Sequence, residues 1–177
     1  MRWIKLSTTR RLPTDRPLRV LAALGPRMLE LAAARADGAH PYFVPVEHTE
    51  QARAVLGSGK LLCPEQAVVL ESDPKVARAT ARRHTSSYLR LPNYRHNLER
   101  LGFKSEDFEE GGSDRLVDAV VGWGDVGRVA TRVREHLTAG ADHVAIQVIV
   151  PDPAQVPTAE WTALAAELGL VAPERSE

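Results

Sequence analysis

Apolar positions in this chain fall into short blocks separated by Gly, Pro and acidic residues, and their spacing alternates between two patterns. The apolar run Leu18–Ala23 has the length of a buried strand, and Pro26–Ala36 then places Met28, Leu31 and Ala32 on one helical stripe. The alternation repeats. Ala39–Val44 reads as a second strand and Glu47–Leu56 as a helix, closed by the turn Gly57-Ser58-Gly59. The valine-rich stretch Gln66–Glu71 reads as a third strand. Asp73-Pro74 then supplies a cap and a first-turn proline for a helix reaching about Leu89. Pro92–Leu101 predicts another helix, stopped by Gly102, and Lys104–Ser113 a polar surface loop. Asp114–Trp123 carries Leu116, Val117, Val120 and Val121 at helical spacing. A clearer stripe follows at Val126, Val129, Ala130, Val133 and Leu137, ended by Gly140. His143–Val150 predicts the fourth strand, and Thr158–Leu168 a terminal helix capped by Thr158.

Four strand-then-helix units with no hairpin signal between strands predict an α/β fold with a parallel sheet. The pattern alone fits either half of a βα barrel or a small open α/β domain. Residues 1–17 are basic and interrupted by Pro13 and Pro17, which predicts a poorly ordered arm. Residues 18–150 form the predicted domain, and residues 151–177 a C-terminal helix and tail.

The turn at Gly25-Pro26 adds chemistry to this outline. A strand that feeds a helix through Gly and Pro leaves the first helical N–H groups unpaired at the positive end of the helix dipole, which suits an anion. A phosphate-bearing cofactor is one reading; a plain turn with Pro at the first helical position is the other.

Composition narrows the partners. The chain has 23 basic and 23 acidic side chains, 19 of the basic ones Arg, for zero formal net charge. That balance argues against nucleic acid or an anionic membrane as the main partner. Cys63 is the only cysteine, so an intrachain disulfide is excluded, and the six histidines lack metal-ligand spacing. No metal site is expected. No GxSxG elbow, Walker loop or GxGxxG run is present. The N-terminal stretch lacks the apolar core of a signal peptide and no segment approaches a membrane span, so a cytoplasmic protein is expected.

Five segments, in order, carry a resemblance: LAALGPRMLELAAARADGAH, PEQAVVLESDPKVARATARRH, SYLRLPNYRHNLERLGF, GGSDRLVDAVVGWGD and VREHLTAGADHVAIQVI. Together, over roughly Pro17 to Val150, the chain resembles the luciferase-like oxidoreductases, in particular their coenzyme F420-dependent branch. The resemblance implies the C-terminal half of a (β/α)8 TIM barrel, strands five to eight, with a helical insertion near the active-site mouth. A complete barrel takes about 250 residues, more than the 177 here. A truncated enzyme with its start inside a longer coding region, a half barrel that pairs with a second chain, and a remodelled α/β domain all fit that shortfall.

The same resemblance implies hydride transfer on a small organic substrate with coenzyme F420, or flavin mononucleotide (FMN) as the alternative, in which case oxygen activation and monooxygenase-type chemistry become possible. It sets Ala22, Ala23, Leu24, Gly25 and Pro26 against the phosphate-bearing tail, with Gly38 and Ala39 also on the cofactor. Beside them, His40 is a candidate proton donor, because histidine titrates near neutrality. Gln147, polar within an apolar strand, and Tyr94, in the insertion, are candidate substrate contacts. Association through the open half barrel, as a homo-oligomer or with a longer homologue, is the expected partnership. The alternative function is a non-catalytic half-barrel assembly partner.

Overall fold

A computed structural model describes residues 17–170, so residues 1–16 of the predicted arm 1–17 and the tail beyond Leu170 lie outside the described residues. Six parallel-paired strands alternate with helices: β1 Val20–Ala22, α1 Pro26–Arg35, β2 Gly38–His40, α2 Val46–Leu56, β3 Leu61–Leu62 and β4 Glu65–Val69. After them come α3 Pro74–Tyr88, α4 Pro92–Arg100, a kinked 3-10 segment Ser105–Gly111, and α5 Asp114–Val120. The chain closes with β5 Val121–Trp123, α6 Val126–Thr138, β6 Ala145–Val148 and α7 Thr158–Glu167.

One three-stranded sheet has the order β1-β2-β3 and the other β5-β4-β6, every pairing parallel. Only Cys63 and Pro64 separate β3 from β4, and the pairing with β2 crosses that break. Cys63 N–H donates to Ala39 O and Glu65 N–H to Pro41 O, both at 2.9 Å. Residues 61–69 therefore act as one extended strand joining the two sheets. β2 flanks its first half, β5 lies along its second half, and β6 runs along the opposite side, where Ala145 N–H donates to Pro64 O.

Alternation along β4 defines two faces. Val68 packs with Val129 of α6 and Leu164 of α7, and Gln66 bonds to α6. The other face carries Glu65, Ala67 and Val69, and the largest core gathers there with Ala77, Ala81, Leu98, Phe103 and Leu116 from the helical insertion. A smaller core of Ala23, Leu29, Ala32, Ala39, Ala52, Leu56 and Leu62 seats α1 and α2. On the opposite face of β1, Val20 and Ala22 are exposed. At the N-terminal ends of the strands, the Arg53 guanidinium ties two turns by donating to Gly57 O and Lys60 O in one and to Gly140 O and the Asp142 carboxylate in the other.

Several predicted boundaries shift. The strands are shorter than expected; the second is Gly38–His40 rather than Ala39–Val44, because Pro41 has no N–H to donate and Phe43 turns into a left-handed conformation (φ 57°). The third is Glu65–Val69 rather than Gln66–Glu71. The expected helix Asp114–Trp123 stops at Val120, and Val121–Trp123 becomes a buried strand against β4. Lys104–Ser113 is 3-10 rather than loop. Thr158 does not cap α7; Pro157 occupies that position without a side-chain cap. Asp73 does cap α3, accepting from Lys75 N–H and Val76 N–H.

Gly38 is set by close approach. A Cβ there would lie 2.4 Å from Leu61 O and 2.7 Å from Leu61 Cβ. Gly38→Ala is expected to lower unfolding free energy by about 3 kcal/mol, as overpacking at a rigid contact does. Gly59→Ala, with open space around the new methyl, is expected to stay within about 0.5 kcal/mol of the parent. Urea denaturation of the pair checks this; equal stabilities would contradict the packing.

Candidate functional site

The parallel strands point their C-terminal ends the same way, and the loops leaving them form one mouth. Helix α4 lies across it. Tyr94 makes an edge-on contact with Phe43 after β2 (centroids 5.6 Å apart), and Arg100 reaches Gly25 after β1. The insertion thus brings polar side chains over the loops that follow β1 and β2.

Tyr42, immediately beyond β2, is the hub. Its hydroxyl donates to Gln147 Oε1, and Tyr88 OH donates to Tyr42 OH at 3.1 Å. Gln147 shares the face of Ala67, its register partner, so this bridge spans the sheet on the Glu65 side. Tyr88 stacks on Phe43 (4.8 Å, 20°) and meets Tyr94 edge-on, while His84 lies 4.9 Å from Tyr88. Burial raises the Tyr42 hydroxyl well above its ordinary range, and the nearby Glu65 carboxyl adds to the shift. The group is a neutral hydrogen-bonding phenol at physiological pH.

Glu65 underlies this cluster. It is 4% exposed; Oε2 accepts from Phe43 N–H at 3.2 Å, and Oε1 has no partner among the described residues. That bond anchors the left-handed turn at Phe43, an uncommon conformation for a bulky residue. Burial pushes the carboxyl up to about 7, although the Phe43 N–H bond works in the other direction. On the helix-covered face, Thr49, His136 and Gln66 form a buried chain at 2.8 and 2.7 Å. Burial holds His136 down at about 4, which keeps it neutral.

A cleft of about 330 Å³ opens beside Gln147, between α3 and the segment after β6; His84, Arg83, Thr80 and Ile149 help to line it. A smaller one, about 110 Å³, lies at the N-terminus of α1 under Arg100, His48 and Asn97. There His48 Nε2 donates to Leu24 O, leaving Nδ1 without a partner, and Asn97 Nδ2 is also unpaired among the described residues. The first turn of α1 holds no acidic side chain, and Gly25 opens it as the N-cap in extended conformation. Arg100 Nη2 sits 3.2 Å from where a Gly25 Cβ would be. The Arg27 N–H, the Arg100 guanidinium and the Asn97 amide form a setting that fits an anionic tail.

The expected residues divide between these features. Ala22, Ala23, Leu24, Gly25 and Pro26 lie at the end of β1 and the start of α1, beside the smaller cleft. Gly38 and Ala39 are interior to β2 and buried; Ala39 faces the α1–α2 core. His40 closes β2, its Nδ1 bonded to Cys63 O and its ring 6.2 Å from Tyr42. Gln147 and Tyr94 both join the Tyr42 cluster. Sequence reasoning missed Tyr42 as the hub, and Glu65, Arg100 and His48 altogether. Tyr42 carried one signal, its place two residues after the candidate His40. Among the described residues no group of three or more His, Cys, Asp or Glu is placed to hold a metal, and no helix is long and apolar enough to cross a membrane.

Neither a family model nor a curated protein matches this sequence. Solved structures do. The coenzyme F420 dependent tetrahydromethanopterin reductase of Methanopyrus kandleri superposes with a TM-score of 0.62 at 17% identity, over 84% of this chain and 48% of that one. EDTA monooxygenase from Chelativorans sp. BNC1 gives 0.61 at 16%, over 89% and 45%. An F420-dependent secondary alcohol dehydrogenase, solved with an F420-acetone adduct, gives 0.56 at 12%, over 79% and 46%. At these identities the likeness establishes the fold alone: the chain has the parallel α/β fold of part of each of these structures. It spans about half the length of each of these structures.

The buried carboxyl makes stability depend on pH. Glu65 titrates near 7 in the fold against about 4.5 unfolded, so its contribution is full below about 4.5 and is lost as pH rises through 7. His136, lowered from 6.5 to about 4, acts oppositely: its contribution is present above 6.5 and lost as pH falls towards 4. The two oppose each other in one window. Glu65→Gln, which cannot ionise, is therefore expected to gain stability relative to the parent between pH 5 and 8, by on the order of 3 kcal/mol. Urea titrations at both pH values check it. A difference independent of pH would contradict the assignment.

Proposed function

We propose that this chain is the C-terminal half of a luciferase-like oxidoreductase that moves a hydride between coenzyme F420, or alternatively FMN, and a small organic substrate. The supporting observation is the convergence, at one mouth, of an anion-suited helix N-terminus and a polar cluster around Tyr42. The backbone from Ala22 to Pro26 and the Arg100 guanidinium would hold the phosphate-bearing tail. Gly38 and Ala39 keep β2 thin and close to β3. The cofactor, when bound, supplies the hydride chemistry, while the protein supplies orientation and electrostatics.

His40 is the proposed proton donor. Its Nδ1 is taken by Cys63 O, which fixes the ring and leaves Nε2 for exchange. Tyr42 holds Gln147 in place, and Tyr94 packs behind it as part of the aromatic wall. F420-dependent and EDTA-oxidising structures with this fold support the general class.

A second reading, an assembly partner without catalysis, is favoured by the uncovered face of β1. Leu18 and Val20 are 69% and 39% exposed, and β1 and β6 each pair on one side only among the described residues. Such edges invite pairing with another chain.

Fluorescence titration of the purified protein with F420 and, separately, FMN tests the first reading. Saturable binding of F420 with little for FMN is expected. Gly25→Val, whose added bulk displaces only the end of the Arg100 side chain, is expected to leave the fold intact and weaken that binding at least tenfold. No binding of either cofactor by folded protein, with a stable dimer in solution, would favour the assembly partner.

A further inference from the structure

The cleft beside Gln147 has a polarity that its hydrogen bonds determine. Tyr88 OH donates to Tyr42 OH, and Tyr42 OH donates to Gln147 Oε1. A glutamine has one acceptor oxygen and two N–H donors. With Oε1 taken from the sheet side, the Nε2 group of this exposed residue is left for the cleft that Gln147 lines. Arg83 lines the same cleft, and among the described residues its guanidinium meets no carboxylate and makes one hydrogen bond, from Nη2 to Thr80 Oγ1 at 3.2 Å. His84, the next residue along, also lines it, and its Nε2 is shielded from solvent without a partner among the described residues. The rest of the wall is mainly apolar, from Val148 and Ile149 through the prolines of residues 151–157, with Thr80 and Gln155 as its other polar side chains.

Gln147, Arg83 and His84 thus set donors and a protonatable imidazole at one end of this cleft, with no acidic side chain among its lining residues. A volume of about 330 Å³ is at the low end for small-ligand sites, which pair an apolar body with a few fixed polar groups. We infer that this cleft binds a small organic carboxylate, its oxygens held by Gln147 Nε2 and Arg83 beside His84 and its apolar body against Ile149 and the prolines. The identification of this molecule as the substrate rests on the proposed oxidoreductase reading. Its binding does not, because every group involved belongs to this chain and none requires the cofactor.

Tyr42 is then a positioning residue: it orients the amide without touching the ligand. Burial lowers the His84 imidazole below its ordinary value, and no charged group contributes to that shift. A bound carboxylate would be the first negative charge beside it and should raise it again.

Benzoate is the probe, with benzylamine as the matched cation of the same apolar body, and both are added to the full chain without cofactor. Side-chain NMR signals of His84 and the Gln147 amide report binding. Benzoate is expected to move both saturably and to raise the titration midpoint of His84, while benzylamine leaves them in place. Arg83→Gln, on the protein surface, is expected to weaken benzoate at least fivefold. Gln147→Glu keeps an acceptor for Tyr42 but puts a carboxylate into the cleft, so benzoate binding should disappear. Tyr42→Phe should weaken it about threefold, with an Arg83-dependent remainder. No perturbation by benzoate, equal binding of benzylamine, or unchanged affinity in Arg83→Gln would each overturn the assignment. Failure here with intact cofactor binding would remove the carboxylate site alone; intact benzoate binding without cofactor binding would remove the oxidoreductase reading alone.

Discussion

Everything in this fold hangs on the extended strand from Leu61 to Val69, because among the described residues it is the only strand that belongs to both sheets. Its amides and carbonyls are shared with β2, β5 and β6, and Glu65–Val69 is buried throughout. A strand with helices on both faces has no solvated side on which to place polar groups, so each one it carries must be satisfied or must titrate. Gln66 and Glu65 illustrate the two outcomes. Gln66 is fully bonded, to His136, Val120 and its own neighbour Ala67. Glu65 is half-satisfied, through Phe43 N–H alone, and its carboxyl shifts towards the neutral form.

From that strand the mouth is built outward. Glu65 anchors the turn at Phe43, and the turn presents Tyr42. Tyr42 bridges to Gln147 on β6, two positions along the register from Glu65. The insertion closes the arrangement from above, with Tyr88, Tyr94 and Leu98 on the inner core and Arg100 over Gly25. The two clefts follow from this division. One sits where α4 crosses the start of α1 and is rich in donors for an anion. The other sits where α3 faces the end of β6 and combines an apolar wall with a donor end.

Most of the architecture was legible in the chain because its helices carry strong stripes and clear stops: Asp73-Pro74 and Gly140 act as the pattern says. The short strands were not. Leu61-Leu62 is only two residues long and lies between a glycine turn and Cys63-Pro64, so it offers no period to read. Val121–Trp123 continues an apolar run that is helical up to Val120, and tertiary pairing with β4 decides where the helix ends. Glu65 was invisible for a related reason: a charged residue before an apolar run reads as a solvated strand start, and only the approach of Phe43 buries it. Of the expected site, Gln147 and Tyr94 meet at Tyr42, whereas Gly38 and Ala39 are explained by close sheet packing. Arg100 and His48 come from separate helices, a proximity that spacing along the chain does not encode.

Native-state hydrogen exchange measures the central claim most directly, since it assigns an opening free energy to each amide. If the Leu61–Val69 strand is the element on which the rest depends, amides 65–69 should exchange only through global unfolding, at the free energy found by denaturation. Those of β1, short and uncovered on one face, should exchange through cheaper local openings. Exchange of amides 65–69 by local opening, while β1 and β2 stay protected, would contradict the account.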